Sequence, residues 1–234
     1  MEMTAEELLE RYAAGERDFA GVELKNIDLK GKNISHLNLR NSFLSNVNME
    51  RVNLRNSDLS GTNLSNVNLF YANLEFSNIS NSNLSNVDLH GTHLNSSDLN
   101  QANLSKVNLG CAELENANLK NSKFTQVTLN GANLIAACLE KASLRKADLR
   151  ETGLQHADLS YANLQEADLS EATLYGANLR CANLRGARMY TTILAAANLT
   201  EADLRGIDLE DLETVDLNEA NLTDALFDLD ILES

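Results

Sequence analysis

The chain has 234 residues, with 34 Asp and Glu against 19 Lys and Arg, a formal net charge of −15 and no proline. That balance argues against direct nucleic-acid binding, which draws on many lysine and arginine contacts to phosphate. No apolar run approaches the length that a membrane-spanning helix needs, so a membrane role has no support.

In chain order the first stretch, residues 1–16, reads as a helical cap. Thr4-Ala5-Glu6-Glu7 has the form of a capping box, with Thr4 at the N-cap and Glu7 reaching back to it. Leu8, Leu9 and Tyr12 share one helix face, and Gly15 is a natural stop. One short helix is expected to lie over the open end of the repeat array that begins at residue 17, where a bare backbone edge could pair with another chain. The stretch is acidic and lacks a basic n-region and a long apolar core, so it does not read as a signal peptide.

Residues 17–209 keep a beat of five. Ala157–Leu179 reads ADLSYANLQEADLSEATLYGANL, with Leu159, Leu164, Leu169, Leu174 and Leu179 each preceded two places earlier by alanine. Every fifth residue from Phe19 to Leu209 is apolar. A helix advances about 500° over five residues, so a leucine every five forms no stripe. A continuous strand would turn residues five apart to opposite faces. Three extended residues followed by a two-residue corner keep every leucine inside. With the leucine at position i, residue i−2 also points inward, i−1 points out, and i+1 and i+2 make the corner. The i+2 position is rich in Asn and Gly, for example Gly21, Asn26, Gly31 and Asn41, which tolerate positive φ. Lys32 is the odd i−2 residue; its stem is expected to lie inward while its ammonium escapes.

A longer period sets the number of sides. Ile27, Val47, Val67, Val87, Val107, Val127 and Ile207 occupy i−2 at multiples of 20 residues. Twenty residues are four sides, so the coil is square and each coil stacks on the next. These tandem A[D/N]LXX units resemble the pentapeptide-repeat family. The resemblance implies an all-β fold, a right-handed quadrilateral β-helix solenoid of about ten coils, with the short N-terminal α-helix as its cap. The wording of Leu8–Phe19, LLERYAAGERDF, resembles the opening of many cyanobacterial members and suggests a bacterial, cytoplasmic setting.

Residues 210–234 read as a register-shifted last coil and an acidic C-terminal cap. Leu212, Leu217, Leu222 and Phe227 resume the beat only three residues after Leu209, and Leu229, Ile231 and Leu232 are expected to close the far end. All three stretches form one domain. Residues 1–20 carry six acids against two bases, 21–140 ten against nine, 141–209 nine against eight, and 210–234 nine against none. The rod is nearly neutral and the acidity sits at its C-terminal end.

The pattern offers no catalytic, metal or cofactor site. Cys111, Cys138 and Cys181 have no disulfide spacing and read as free thiols. His90 lies at a corner and His93 faces out from the next side, so they diverge rather than converge on a metal. The recurring i−1 Asn and Asp residues read as a structural, solvated surface. The candidate partner patch is Phe70, Tyr71, Phe76 and His90, with His90 expected to stack beyond Phe70. Arg145, Arg185 and Arg205 share a column, with Gln165 between, and read as a solvated basic edge.

The functional expectation is a non-catalytic, rigid scaffold for an unidentified protein partner, present as a monomer or as an end-to-end dimer through the C-terminal coil. The alternative comes from the family resemblance, since some members mimic B-DNA and modulate DNA gyrase. Mimicry needs negative charge along the rod, and here the charge is concentrated at one end.

Overall fold

The computed structural model describes residues 2–228, the side chains of Leu209 and Leu212 excepted. Residues 20 apart pair as parallel neighbours along the chain: Asn33 with Asn53, Asn53 with Asn73, Asn73 with His93, and onward to Asp203. Three extended residues per side are too few for long strands. The named ones near the start are β1 (Glu2–Met3), β2 (Glu23–Lys25) and β3 (Phe43–Ser45), in a parallel sheet of order β1-β2-β3. The pairing of Leu24 with Leu44 sets the 20-residue step.

The interior is a column of central residues. Every one from Phe19 to Leu204 is buried, flanked by small i−2 residues such as Ala102, Ala132 and Ala162. Full burial of a leucine contributes roughly 1.5–3 kcal/mol, and each coil holds four central residues. Serine and threonine at i−2 are buried but not orphaned. Thr62 Oγ1 donates to the Leu39 carbonyl at 2.7 Å and Ser77 Oγ to the Leu54 carbonyl at 2.8 Å, each linking to the preceding coil.

The corners depend on the outward i−1 residues. The Asn163 side-chain oxygen accepts the Gln165 N–H at 3.1 Å, and Asp58 accepts the Ser60 N–H at 3.0 Å. The same side chains form a ladder: Asn103 Nδ2 donates to Asn83 at 3.0 Å and Asn118 Nδ2 to Asp98 at 2.9 Å. These residues, read from the sequence as a structural, solvated surface, hold the turns through short side-chain-to-backbone bonds. At i+2, φ is positive at every corner from Gly21 to Gly206, including Tyr71, Phe76 and His156. A side chain there costs on the order of 1 kcal/mol, which stacking above and below offsets.

Two bonds close a corner. The i+2 N–H donates to a carbonyl of the following coil, a ladder bond, and the i+3 N–H donates back to the carbonyl of i, a turn bond. The ladder bond is made throughout three of the four corner columns: from Gly21 to Glu201, from Gly31 to Glu171 and from His36 to Ala196. In the fourth column it is missing, among the described residues, at Asn46, Asn66 and Gln126. The i+3 residue of that column is valine or isoleucine up to Val127 and alanine at Ala147, Ala167 and Ala187. The turn is lost at Ile27 and Val47, where the corner is only a bend, and kept from Val67 to Ala187. The three missing ladder bonds all lie beside valine, since a bulkier inward residue leaves less room at the corner.

At the start, β1 pairs with β2 in parallel, and Met3, 3% exposed, joins the core beside Leu24. The expectation of a lone helix omitted this strand. Helix α1 (Ala5–Ala13) buries Leu8, while Leu9 and Tyr12 pack partly against the core. Thr4 Oγ1 accepts the Glu7 N–H at 3.1 Å. The Glu7 carboxylate does not reach back to Thr4; it lies 3.6 Å from Arg11, an i,i+4 partner of opposite charge, so half of the capping box is absent. Lys32 is exposed, so its stem is not taken inward.

After Ile207 the step lengthens. Helix α2 (Leu209–Thr214) is inserted at one corner, and the pairing resumes at 23 residues, Ile193 with Asp216, Asn198 with Asn221 and Asp203 with Leu226. Asp211 and Thr214 seat the helix by accepting the N–H groups of Met189 at 3.0 Å and Thr191 at 2.8 Å. Val215, Leu217, Ala220, Leu222, Ala225 and Phe227 are only partly buried. The closing role expected of Leu229, Ile231 and Leu232 lies outside the described residues.

Candidate interaction surface

Three residues of the sequence-based patch meet at one corner. Phe70 and His90, one coil apart, stack with ring centroids 5.6 Å apart and planes 16° from parallel. Tyr71 meets Phe70 edge-on at 4.5 Å and His90 edge-on at 5.9 Å. Such pairs add about 0.5–1.5 kcal/mol beyond burial. The Tyr71 ring covers Gly91, where a Cβ would come within 2.5 Å of Tyr71 Cε1, so glycine is needed below the ring.

Phe76 is not part of that cluster. It sits 49% exposed at the next corner, with the Arg55 guanidinium 4.9 Å from its ring centre. The two corners border one face, from which His93 points outward.

The same face carries a second group that the sequence reading missed. His156 lies over Gly176, where a Cβ would come within 2.7 Å of its Nδ1, and meets Tyr175 edge-on at 5.6 Å. Tyr175, Tyr190 and Ile193 are exposed. Stacking at multiples of 20 puts Tyr190 in the column of Phe70 and His90, His156 in that of Phe76, and Ile193 in that of His93. This arithmetic was available from the sequence; the first patch stood out only because its residues are close in the chain. All four histidines, His36 included, lie on this face or its two corners.

The basic edge is partly neutralised. Arg145 and Lys146 both pair with Glu166, at 2.7 and 3.0 Å, and Arg205 pairs with Asp203 at 2.7 Å. Lys146 and Arg145 hold the Glu166 carboxyl below the usual carboxylate range. The three cysteines are free. Cys181 Sγ donates to Glu201 at 3.1 Å, and this bond, with some burial, raises the thiol above its ordinary value, the opposite of what a nucleophile needs. Among the described residues no group of three or more His, Cys, Asp and Glu could hold a metal ion, and no helix is long and apolar enough to cross a membrane.

Comparison with known proteins adds to this geometry. The family model for pentapeptide repeats matches with eight copies, together spanning residues 48–150 and 154–228. Among solved structures, HetL, a pentapeptide repeat protein involved in heterocyst differentiation regulation from the cyanobacterium Nostoc sp. strain PCC 7120, is 31% identical. That alignment covers 96% of this chain and 97% of HetL, with a TM-score of 0.42. QnrB1, a plasmid-mediated fluoroquinolone resistance protein, is 18% identical over 92% of this chain and 94% of its own, with a TM-score of 0.44. No curated protein sequence matches.

Proposed function

The chain belongs to the pentapeptide-repeat family, and from that premise we propose that it is a non-catalytic, rigid scaffold that binds a protein partner through one face. The observation that carries this reading is that four of the six exposed aromatic side chains among the described residues border a single face: Tyr71 and Phe76, with the half-buried Phe70, towards one end, and Tyr175 and Tyr190 towards the other, while Phe43 and Tyr161 lie on the opposite side. Aromatic residues dominate the energetics of protein interfaces, and a solenoid presents them at fixed spacing. In this reading the rod is a right-handed square helix of about ten coils that works in the cytoplasm, closed at one end by α1.

DNA mimicry ranks second. Lys30, Arg55 and Lys120 each pair with an acid of the following coil, Glu50, Glu75 and Glu140, so the sides lack the unbroken negative charge that mimicry requires.

The test is capture of binding proteins from the native host by the parent rod and by a variant with Phe70, Tyr71 and Phe76 changed to serine. The proposal expects a partner retained by the parent and lost by the variant, with circular dichroism unchanged. A partner retained equally by both would move the site off this face.

A further inference from the structure

We propose that the open corner at Thr125–Gln126 is a binding site for a small phosphate-bearing ligand. A cavity of about 390 Å³ lies there, lined by Thr125, Gln126, Ser143, Arg145 and Lys146. This volume is near the lower end of the range for small-molecule sites.

The interior creates the opening. Phe124 occupies a central position that elsewhere is mostly leucine, and Val127 follows at the inward i+3 position. One closing bond is lost: Gln126 N–H makes no ladder bond to the Arg145 carbonyl, among the described residues, while Thr125 and Gln126 keep their turn. The ladder bond is also lost at Asn46, but there Ser65 and Asn66 stand in the places of Arg145 and Lys146 and bring no charge. The Gln126 N–H is thus a fixed donor at the wall of a cationic cavity. The Thr125 and Ser143 hydroxyls, also on the wall, make no hydrogen bond among the described residues.

The cations complete the site. Arg145 and Lys146 line it, and Lys106, stacked one coil before Gln126, and Lys123, on the adjoining side, are exposed and form no ion pair among the described residues. The nearby acid is Glu166, which bridges Arg145 and Lys146. Two lining cations share one acid, and Lys106 and Lys123 add positive charge outside the lining on a chain of net charge −15. An oxyanion takes charge-assisted bonds from guanidinium and ammonium and neutral ones from hydroxyl and backbone N–H. A phosphate group fits this donor set, which offers no acceptor-only pocket for a cation.

The experiment titrates inorganic phosphate into the full chain and follows backbone amide resonances. The expected result is saturable shifts centred on Gln126, Val127, Arg145 and Lys146. Two variants separate charge from geometry. The R145Q/K146Q pair removes cations and is expected to weaken binding about tenfold or more. V127A keeps every charge but leaves room for the ladder bond; it is expected to protect the Gln126 amide from exchange and to weaken binding by a similar factor. Absence of saturable shifts in the parent overturns the proposal. Undiminished binding by R145Q/K146Q overturns it too, as does undiminished binding by a V127A variant whose Gln126 amide has become protected.

Discussion

One corner column is built two ways along its length. Where Ile27 and Val47 point inward, the turn is missing; from Val67 to Ala187 it is kept. Valine thus permits an open corner without forcing one. The ladder bond divides more clearly. Up to Gly186 it fails only within the valine half, at Asn46, Asn66 and Gln126, and holds at Lys146, Glu166 and Gly186; Gly206 donates to the Asp228 carboxylate instead. The lesson is that a surface feature of this rod is set from inside. A residue with almost no exposure decides whether the backbone outside it offers free donors.

The largest expected effect tests whether this difference stops at the corners. Leu104, in the valine half, and Leu164, in the alanine half, are both fully buried. Replacing either with lysine buries an unpaired charge, which costs several kcal/mol. Thermal melts should show both variants severely destabilised to a similar degree. Tolerance of one and not the other would mean that the two halves differ in their cores.

A smaller effect is expected on the outer ladder. Asn103 accepts the Ser105 N–H at 3.2 Å and donates to Asn83, so Asn103→Ala should lower stability by about 1 kcal/mol in urea titration. No measurable loss would show these residues to be passive surface.

The five-residue beat and its 20-residue superperiod made the solenoid, its inward and outward positions and the Phe70–His90 stack legible in the sequence. The period is a geometric statement about every residue at once. What escaped it depends on single contacts. Glu7 turns to Arg11 because both are on the helix, Lys32 stays exposed, and Met3 finds a strand partner that no two-residue pattern announces. The three-residue slip after Leu209 marked a break, but its filling by α2 rests on the bonds of Asp211 and Thr214. The second aromatic group was legible and was missed, because its members are far apart in the chain.

Substitution along the valine column sharpens the comparison. Val127→Ala and Val87→Ala delete the same methyl groups, at about 1–2 kcal/mol each. Asn86, beside Val87, already has its ladder bond, whereas Gln126 can gain one beside the smaller residue at 127. V127A should therefore be the milder change by about 1 kcal/mol in the same titration. Equal losses would detach the open corner from side-chain size.

The smallest effect is that of acid, and it is read outside the valine half. Asp148 beside Arg150 and Asp203 beside Arg205 are both held below the usual carboxylate range by these hydrogen bonds. A carboxyl depressed in the folded state contributes stability above its unfolded value and loses it as pH falls through the folded one. D148N should cost under about 1 kcal/mol at neutral pH, and the difference from the parent should vanish in strong acid. A difference that grows on acidification would have the wrong sign.

Amide hydrogen exchange resolved by residue tests the central claim most directly, because it reads the same column in both settings. Interior side-chain size predicts fast exchange at Asn46, Asn66 and Gln126, and protection at Lys146, Ala147, Glu166 and Ala167. Uniform protection along the column, or fast exchange in the alanine half, would contradict it.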